Sequence, residues 1–213
     1  MRPLPQELPP RGLRGPVVAI LNVGSDDRRL IERTEALIRG GIRTVEVTLR
    51  AETSLGTLAR LSDEFGDDIQ LGAGTILTTE QAHAAIDAGA SFLVSPGVSQ
   101  DVMRSSQARE VLVIPGVFTP TEIMDALSSG AEMVKLFPAG ALGPRYLRDL
   151  RGPFPDLRVM STGRISVESV PEYFAAGAKA VGLGRELVGN DSEPLEPRAI
   201  ETRVQRIMEL IDT

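Results

Sequence analysis

The chain has no cysteine and no tryptophan, one histidine, His83, and only two lysines among its 213 residues. Without cysteine there can be no disulfide, no thiolate nucleophile and no thiolate-ligated metal. One histidine cannot assemble an ordinary zinc site, and His83 sits in the helical pattern TEQAHAAIDAGA, where a surface helix position is expected. Neither a metal nor another cofactor is therefore expected. Basic residues are outnumbered, 23 against 29 acidic, for a net charge of −6, which gives nucleic-acid binding no electrostatic support. No run approaches the eighteen apolar residues of a membrane span, and the opening MRPLPQELPPRGLRG is polar and proline-rich, unlike a signal peptide. A soluble, cytoplasmic protein with no membrane partner is the expectation.

What is present is a regular alternation. Short apolar, β-branched runs recur at 17–23, 44–49, 69–76, 92–97, 111–117, 133–138, 157–163 and 180–187, with helical patterns such as DDRRLIERTEALIRGG and TPTEIMDALSSGA between them. Glycines at Gly40-Gly41, Gly89, Gly130 and Gly177 precede the next run, where a left-handed cap turns the chain back toward a sheet. Strands alternating with helices imply parallel βαβ units, and eight of them predict an α/β fold, a single-domain (β/α)8 TIM barrel over 16–213. Residues 1–15 are expected to form an N-terminal helix or arm, and VGNDSEPLEP a loop before the last helix. The rival, an open doubly wound sheet, lacks its signature, because LNVGSDD after the first run is not G-x-G-x-x-G.

In such a barrel the functional face lies at the C-terminal ends of the strands. In AEMVKLFPAG, Lys135 stands inside an apolar run, although arginine is the cation used almost everywhere else in the chain. Arginine cannot usefully lose its proton, whereas a desolvated lysine can become a neutral amine and a nucleophile. The alternative is a lysine whose stem packs inside while its ammonium reaches water. In TVEVTLR, alternation puts Val45, Val47 and Leu49 on one face and Glu46, Thr48 and Arg50 on the other. The apolar set suits the helix-facing side, so Glu46 should point into the barrel, where it can meet Lys135. A structural ion pair is the alternative. A lysine that attacks a ketone and a carboxyl that moves protons suit imine-based carbon–carbon cleavage. In GAGT, the glycines before Thr75 leave room for close approach of ligand or backbone, or serve packing alone.

The segments VEVTLR, GAGTIL, FLVSPG, VIPGVFTPTEIMDALSSGAEMVKLFPA and GPFPDLRVMSTGRIS, in this order and spacing, resemble the 2-keto-3-deoxy-6-phosphogluconate (KDPG) aldolase family, which includes 4-hydroxy-2-oxoglutarate aldolases. The resemblance covers roughly residues 16–188. It implies a metal-independent Schiff-base aldolase that releases pyruvate from a small keto-acid substrate, and a homotrimer. It further implies that Lys135 forms the imine and Glu46 is the general acid/base. Arg50 and Thr75 would hold the pyruvyl carboxylate, with Pro96 and Phe137 as walls. The distal end of the substrate would meet Thr162, Gly163 and Arg164 after the seventh strand, and Gly184 and Arg185 after the eighth.

Three positions depart from the family pattern, all toward the distal end. Arg164 replaces the second glycine of a Thr-Gly-Gly loop, Arg185 stands where serine is common, and Asn22 ends the first strand where many members have arginine. Phosphate in this barrel class is held by backbone amides of those loops. The two arginines could add contacts to such an anion, favour another substrate, or face solvent. The readings left open are KDPG itself, 4-hydroxy-2-oxoglutarate, another keto-deoxy sugar acid, a non-covalent phosphate-binding isomerase or epimerase, and a barrel that binds a keto acid without catalysis.

Overall fold

The computed structural model describes residues 12–22, 27–51, 53–189 and 195–212. Its strands are β1 (Val17–Asn22), β2 (Thr44–Thr48), β3 (Gln70–Gly74), β4 (Phe92–Val94), β5 (Leu112–Ile114), β6 (Gly116–Val117), β7 (Val134–Leu136), β8 (Val159–Thr162) and β9 (Ala180–Leu183). All neighbours pair in parallel, in the order β5-β4-β3-β2-β1-β9-β8-β7-β6. The two ends of this sheet, β5 and β6, are consecutive pieces of one extended stretch. The sheet therefore closes on itself as an eight-staved (β/α)8 barrel.

The break between β5 and β6 is Pro115, which has no N–H for a ladder. Its carbonyl still accepts the Lys135 N–H at 2.8 Å, which ties the broken stave to β7. Gly116 is equally required, because a Cβ there would land on the Pro96 carbonyl.

The helices are α1 (Asp27–Gly40), α2 (Ser54–Phe65), α3 (Thr79–Asp87), α4 (Gln100–Gln107), α5 (Pro120–Ser128), α6 (Gly143–Leu150), α7 (Val170–Ala175), α8 (Arg185–Val188) and α9 (Pro197–Asp212). Capping boxes open two of them, Thr78 with Gln81 on α3 and Thr119 with Glu122 on α5. The expected glycine turns are present, with φ of 111° at Gly41, 100° at Gly89, 82° at Gly130 and 103° at Gly177.

Two apolar layers follow from strand alternation. Val45, Val47, Val134 and Leu136 point outward into the layer under the helices. Val18, Phe92, Val94, Ile114, Met133 and Met160 fill the inside. Leu13, 1% exposed, plugs this inner layer from the N-terminal face. It is held there by hydrogen bonds from Arg14 N–H to Gln70 Oε1 (2.7 Å) and from Gln70 Nε2 to the Gly12 carbonyl (3.0 Å). Residues 12–15 thus cross the barrel floor in a bent course, and the rest of the expected leading arm, residues 1–11, lies outside the described residues.

The strands end earlier than the apolar runs suggest. Thr75, Pro96, Phe137 and Gly163 have all left the sheet, and the run expected as strand to residue 187 turns into α8 at Arg185. In the loop expected at 188–197, residues 190–194 lie outside the described residues, as does Val23 of the first run.

Candidate active site

At the C-terminal mouth of the barrel a cavity of about 340 Å³ is lined by Ile20, Asn22, Glu46, Thr48, Arg50, Thr75, Pro96, Lys135, Phe137, Thr162, Gly163, Gly182, Gly184 and Glu186. Nine of the residues singled out from sequence meet here: Glu46, Arg50, Thr75, Pro96, Lys135, Phe137, Thr162, Gly163 and Gly184. Arg164 and Arg185 do not line it, and both are exposed.

Glu46 and Lys135 stand on β2 and β7, four staves apart in an eight-staved barrel, so they face each other across its axis. They are 1% and 9% exposed. Below them the inside is apolar, which removes the water that would otherwise solvate both charges. Burial pushes the Glu46 carboxyl above the ordinary carboxylate range, and the charge of Lys135 pulls against that shift. Oε2 of Glu46 has no hydrogen-bond partner among the described residues, and neither has Oγ1 of Thr162. Both oxygens are buried beneath the cavity surface, where a polar atom ordinarily has a partner.

Gly74 explains how a carboxyl fits so deep in the mouth. A Cβ at this position would land on Glu46 Oε1, so the glycine on β3 is the bed on which the Glu46 side chain lies. Gly72, two residues earlier on the same face, leaves room for the ring of Phe92 in the same way. Gly182 on β9 does so for Thr162 Oγ1. The glycines of GAGT therefore serve packing, and in one case the packing is of a candidate catalytic group.

The rim is built from loops. Arg50 follows β2 and is exposed, with its side chain at the cavity wall. Thr75 has φ of 63°, an outlier for a β-branched residue, of the kind that tends to sit at a functional position. Phe137, 43% exposed, closes one side, and Lys135 Nζ lies 5.3 Å from its ring centroid. Asn22 accepts a hydrogen bond from Thr48 Oγ1 at 3.1 Å, which fixes it beside Glu46 on the neighbouring stave.

Arg164 has φ of 56°, so it keeps the left-handed backbone that glycine adopts readily. Its carbonyl packs against Gly140, whose N–H bonds the Gly163 carbonyl at 2.9 Å. The loop is thereby held in place while the Arg164 side chain faces solvent. Glu186, which no motif in the sequence singles out, also lines the cavity. The strand-like look of GLGREL gave no sign that residue 186 would lie in a helical turn beside the mouth.

A family model for KDPG and KHG aldolase matches residues 12–200. The chain is 33% identical over 173 residues to the 2-dehydro-3-deoxy-6-phosphogalactonate aldolase of Escherichia coli strain K12, covering 81% of this chain and 84% of that one. It is 40% identical over 159 residues to the 2-dehydro-3-deoxy-phosphogluconate aldolase of Pseudomonas aeruginosa, covering 73% and 72%. Among solved structures it superposes with a TM-score of 0.77, at 32% identity and 92% coverage of both chains, on the KDPG aldolase of Legionella pneumophila with pyruvate captured as a covalent carbinolamine.

Proposed function

The chain belongs to the KDPG and KHG aldolase family and is an aldolase, a lyase, and on that premise we propose that it works through an imine on Lys135, with Glu46 as the acid/base. The observation that carries this reading is the pair itself. A lysine and a carboxyl, both buried, face each other in a cavity whose rim offers a guanidinium to a carboxylate. The carbinolamine captured in the Legionella pneumophila aldolase supports the same chemistry here.

The substrate is a 2-keto-3-deoxy sugar acid, with 2-dehydro-3-deoxy-6-phosphogluconate the first candidate and 4-hydroxy-2-oxoglutarate the second. Arg50 grips its carboxylate in a charge-assisted, bidentate manner, with Thr75 beside it, and Pro96 and Phe137 confine the three-carbon end. The neutral amine of Lys135 attacks the C2 carbonyl. Glu46 delivers the proton that lets water leave, and a cationic iminium remains. Glu46, now a carboxylate, takes the C4 hydroxyl proton. The C3–C4 bond then breaks, its electron pair moves into the iminium, and the aldehyde departs. Protonation of the enamine at C3 and hydrolysis release pyruvate and restore the amine. A carboxyl raised by burial keeps its proton to a higher pH than a free one does, which suits a group that must give a proton before taking one back.

Assembly as a homotrimer in the cytoplasm completes the reading. Exposed apolar side chains, Leu77 at 58%, Met124 at 61% and Leu142 at 49%, offer surface that an assembly would cover. No helix among the described residues is long and apolar enough to cross a membrane. The test is purified protein assayed for pyruvate release on a panel of 2-keto-3-deoxy acids and 4-hydroxy-2-oxoglutarate, with and without EDTA. Metal-independent release from one or more of them is expected. Release from none, or activity lost to EDTA and restored by a divalent ion, would overturn the proposal.

A further inference from the structure

We infer that Glu186 sets the choice between phosphorylated and unphosphorylated substrates, by placing a carboxylate against the distal end of the bound keto acid. The inference rests on the aldolase reading above and concerns the half of the cavity that chemistry at Lys135 does not use.

Four ionisable residues line the cavity among the described residues: Glu46, Lys135, Arg50 and Glu186. Three have duties at the pyruvyl end. Arg50, Thr75 and Pro96 follow β2, β3 and β4, so a substrate anchored there extends across the axis toward β8 and β9. The wall on that side consists of Thr162, Gly163, Gly182, Gly184 and Glu186, flanked by Ile20 and Asn22 of β1. Its one ionisable group is an acid. The two arginines that sequence places nearby, Arg164 and Arg185, are exposed and outside the lining.

Glu186 is held in place by its backbone. It lies in α8, whose Leu187 and Val188 are buried, and its carbonyl accepts a hydrogen bond from Arg203 Nη1 of α9 at 2.6 Å. It also borders an adjoining groove lined by Arg203 and Arg206, and Arg206 pairs with Glu209 at 3.3 Å. A phosphate at the distal end would meet this carboxylate in a partly desolvated wall that provides no lining cation, and like charges so placed repel. A terminal hydroxyl would instead find an acceptor. Glu186 thus lowers the preference for a phosphorylated end relative to what the same wall would show without its charge.

The experiment compares 2-keto-3-deoxygluconate with and without its 6-phosphate, two substrates that differ only at the distal end. Pyruvate release gives kcat/KM for each, for the wild-type chain, Glu186→Gln and Glu186→Asp. The phosphorylated-to-unphosphorylated ratio should rise about ten-fold in Glu186→Gln, equivalent to about 1.4 kcal/mol. It should stay within about two-fold of wild type in Glu186→Asp, which keeps the charge, and the Gln effect should shrink at high salt. Glu186→Ser, which also removes the charge, is read in the same way should the Gln variant fold poorly. A ratio unmoved in the uncharged variants, or moved equally by Asp, overturns the assignment of Glu186 and leaves the aldolase reading standing. A wild-type chain that releases pyruvate from neither sugar acid overturns the assignment of Glu186, and the aldolase reading falls with it only if 4-hydroxy-2-oxoglutarate is not cleaved either.

Discussion

Gly74→Ala should slow turnover about a hundred-fold while leaving the barrel folded. Gly74 lies in β3 with ordinary strand backbone, so an alanine is accepted there without backbone strain. Its Cβ would collide with Glu46 Oε1 and stand 2.6 Å from Cδ and 2.9 Å from Cγ of the same side chain. Non-bonded carbons rest at about 3.5–4.0 Å, so the carboxyl must retreat by about 1 Å. Displacing a catalytic group by about 1 Å costs about 10²-fold in rate. Gly72→Ala is the matched control, because its Cβ meets the Phe92 ring beneath the site rather than Glu46. It should overpack the inside at about 1–3 kcal/mol, and so lower Tm by several degrees, while kcat changes only a few-fold. Steady-state pyruvate release and thermal unfolding of both variants decide the matter. Near wild-type kcat in Gly74→Ala, or an equal loss of kcat in Gly72→Ala, would refute the reasoning.

Glu46→Gln should reduce kcat by about 10²–10⁴-fold, the usual range for a general acid/base, while pyruvate still binds; near wild-type turnover would return Glu46 to a structural ion pair. The same variant has a pH signature in stability. The folded protein holds the Glu46 proton more tightly than the unfolded chain, because the carboxyl is raised above 4.5. Its stabilising contribution is therefore complete below that value and is lost as pH rises through the folded-state pKa. Glutamine has no such titration, so in denaturant unfolding Glu46→Gln should gain on wild type as pH goes from 4.5 toward neutrality; losing ground instead would contradict the buried, raised carboxyl. Arg164→Gly and Arg185→Ser should change kcat/KM for a phosphorylated substrate by no more than about five-fold, since exposed charges contribute about 1 kcal/mol or less. A ten-fold loss would put their guanidinium groups on the substrate. Arg164→Gly should also relieve a left-handed φ of 56°, which disfavours a non-glycine residue by about 1–2 kcal/mol before glycine's own entropy offsets part of it.

The barrel is legible in the sequence because its physics is local. The even pitch of apolar runs, the glycines that turn each helix back, and alternation within TVEVTL and MVKLF together dictate parallel staves with Glu46 and Lys135 pointing inward. The rest depends on contacts between segments far apart in the chain. Nothing near Gly74 announces that a side chain from β2 will lie on it, and nothing near Leu13 shows that it will plug the barrel floor. The apolar runs overstate the strand ends because Thr75, Phe137 and Gly163 look like strand and yet leave the sheet at the mouth. Side-chain direction in the last two loops was likewise hidden. Periodicity says which face of a strand a residue occupies, but not whether Arg164, Arg185 or Glu186 turns toward a cavity after the strand has ended.

Reductive trapping tests the imine on Lys135 most directly. The protein is incubated with pyruvate and sodium borohydride, assayed for residual activity, and digested for mass analysis. The expected result is inactivation that depends on pyruvate, with one reduced pyruvyl group on the peptide containing Lys135. The chain supplies its own control in Lys179, the only other lysine, which is exposed just before β9 on the opposite end of the barrel. An adduct on Lys179 in place of Lys135, or no adduct while the enzyme remains active, would contradict Schiff-base catalysis at Lys135.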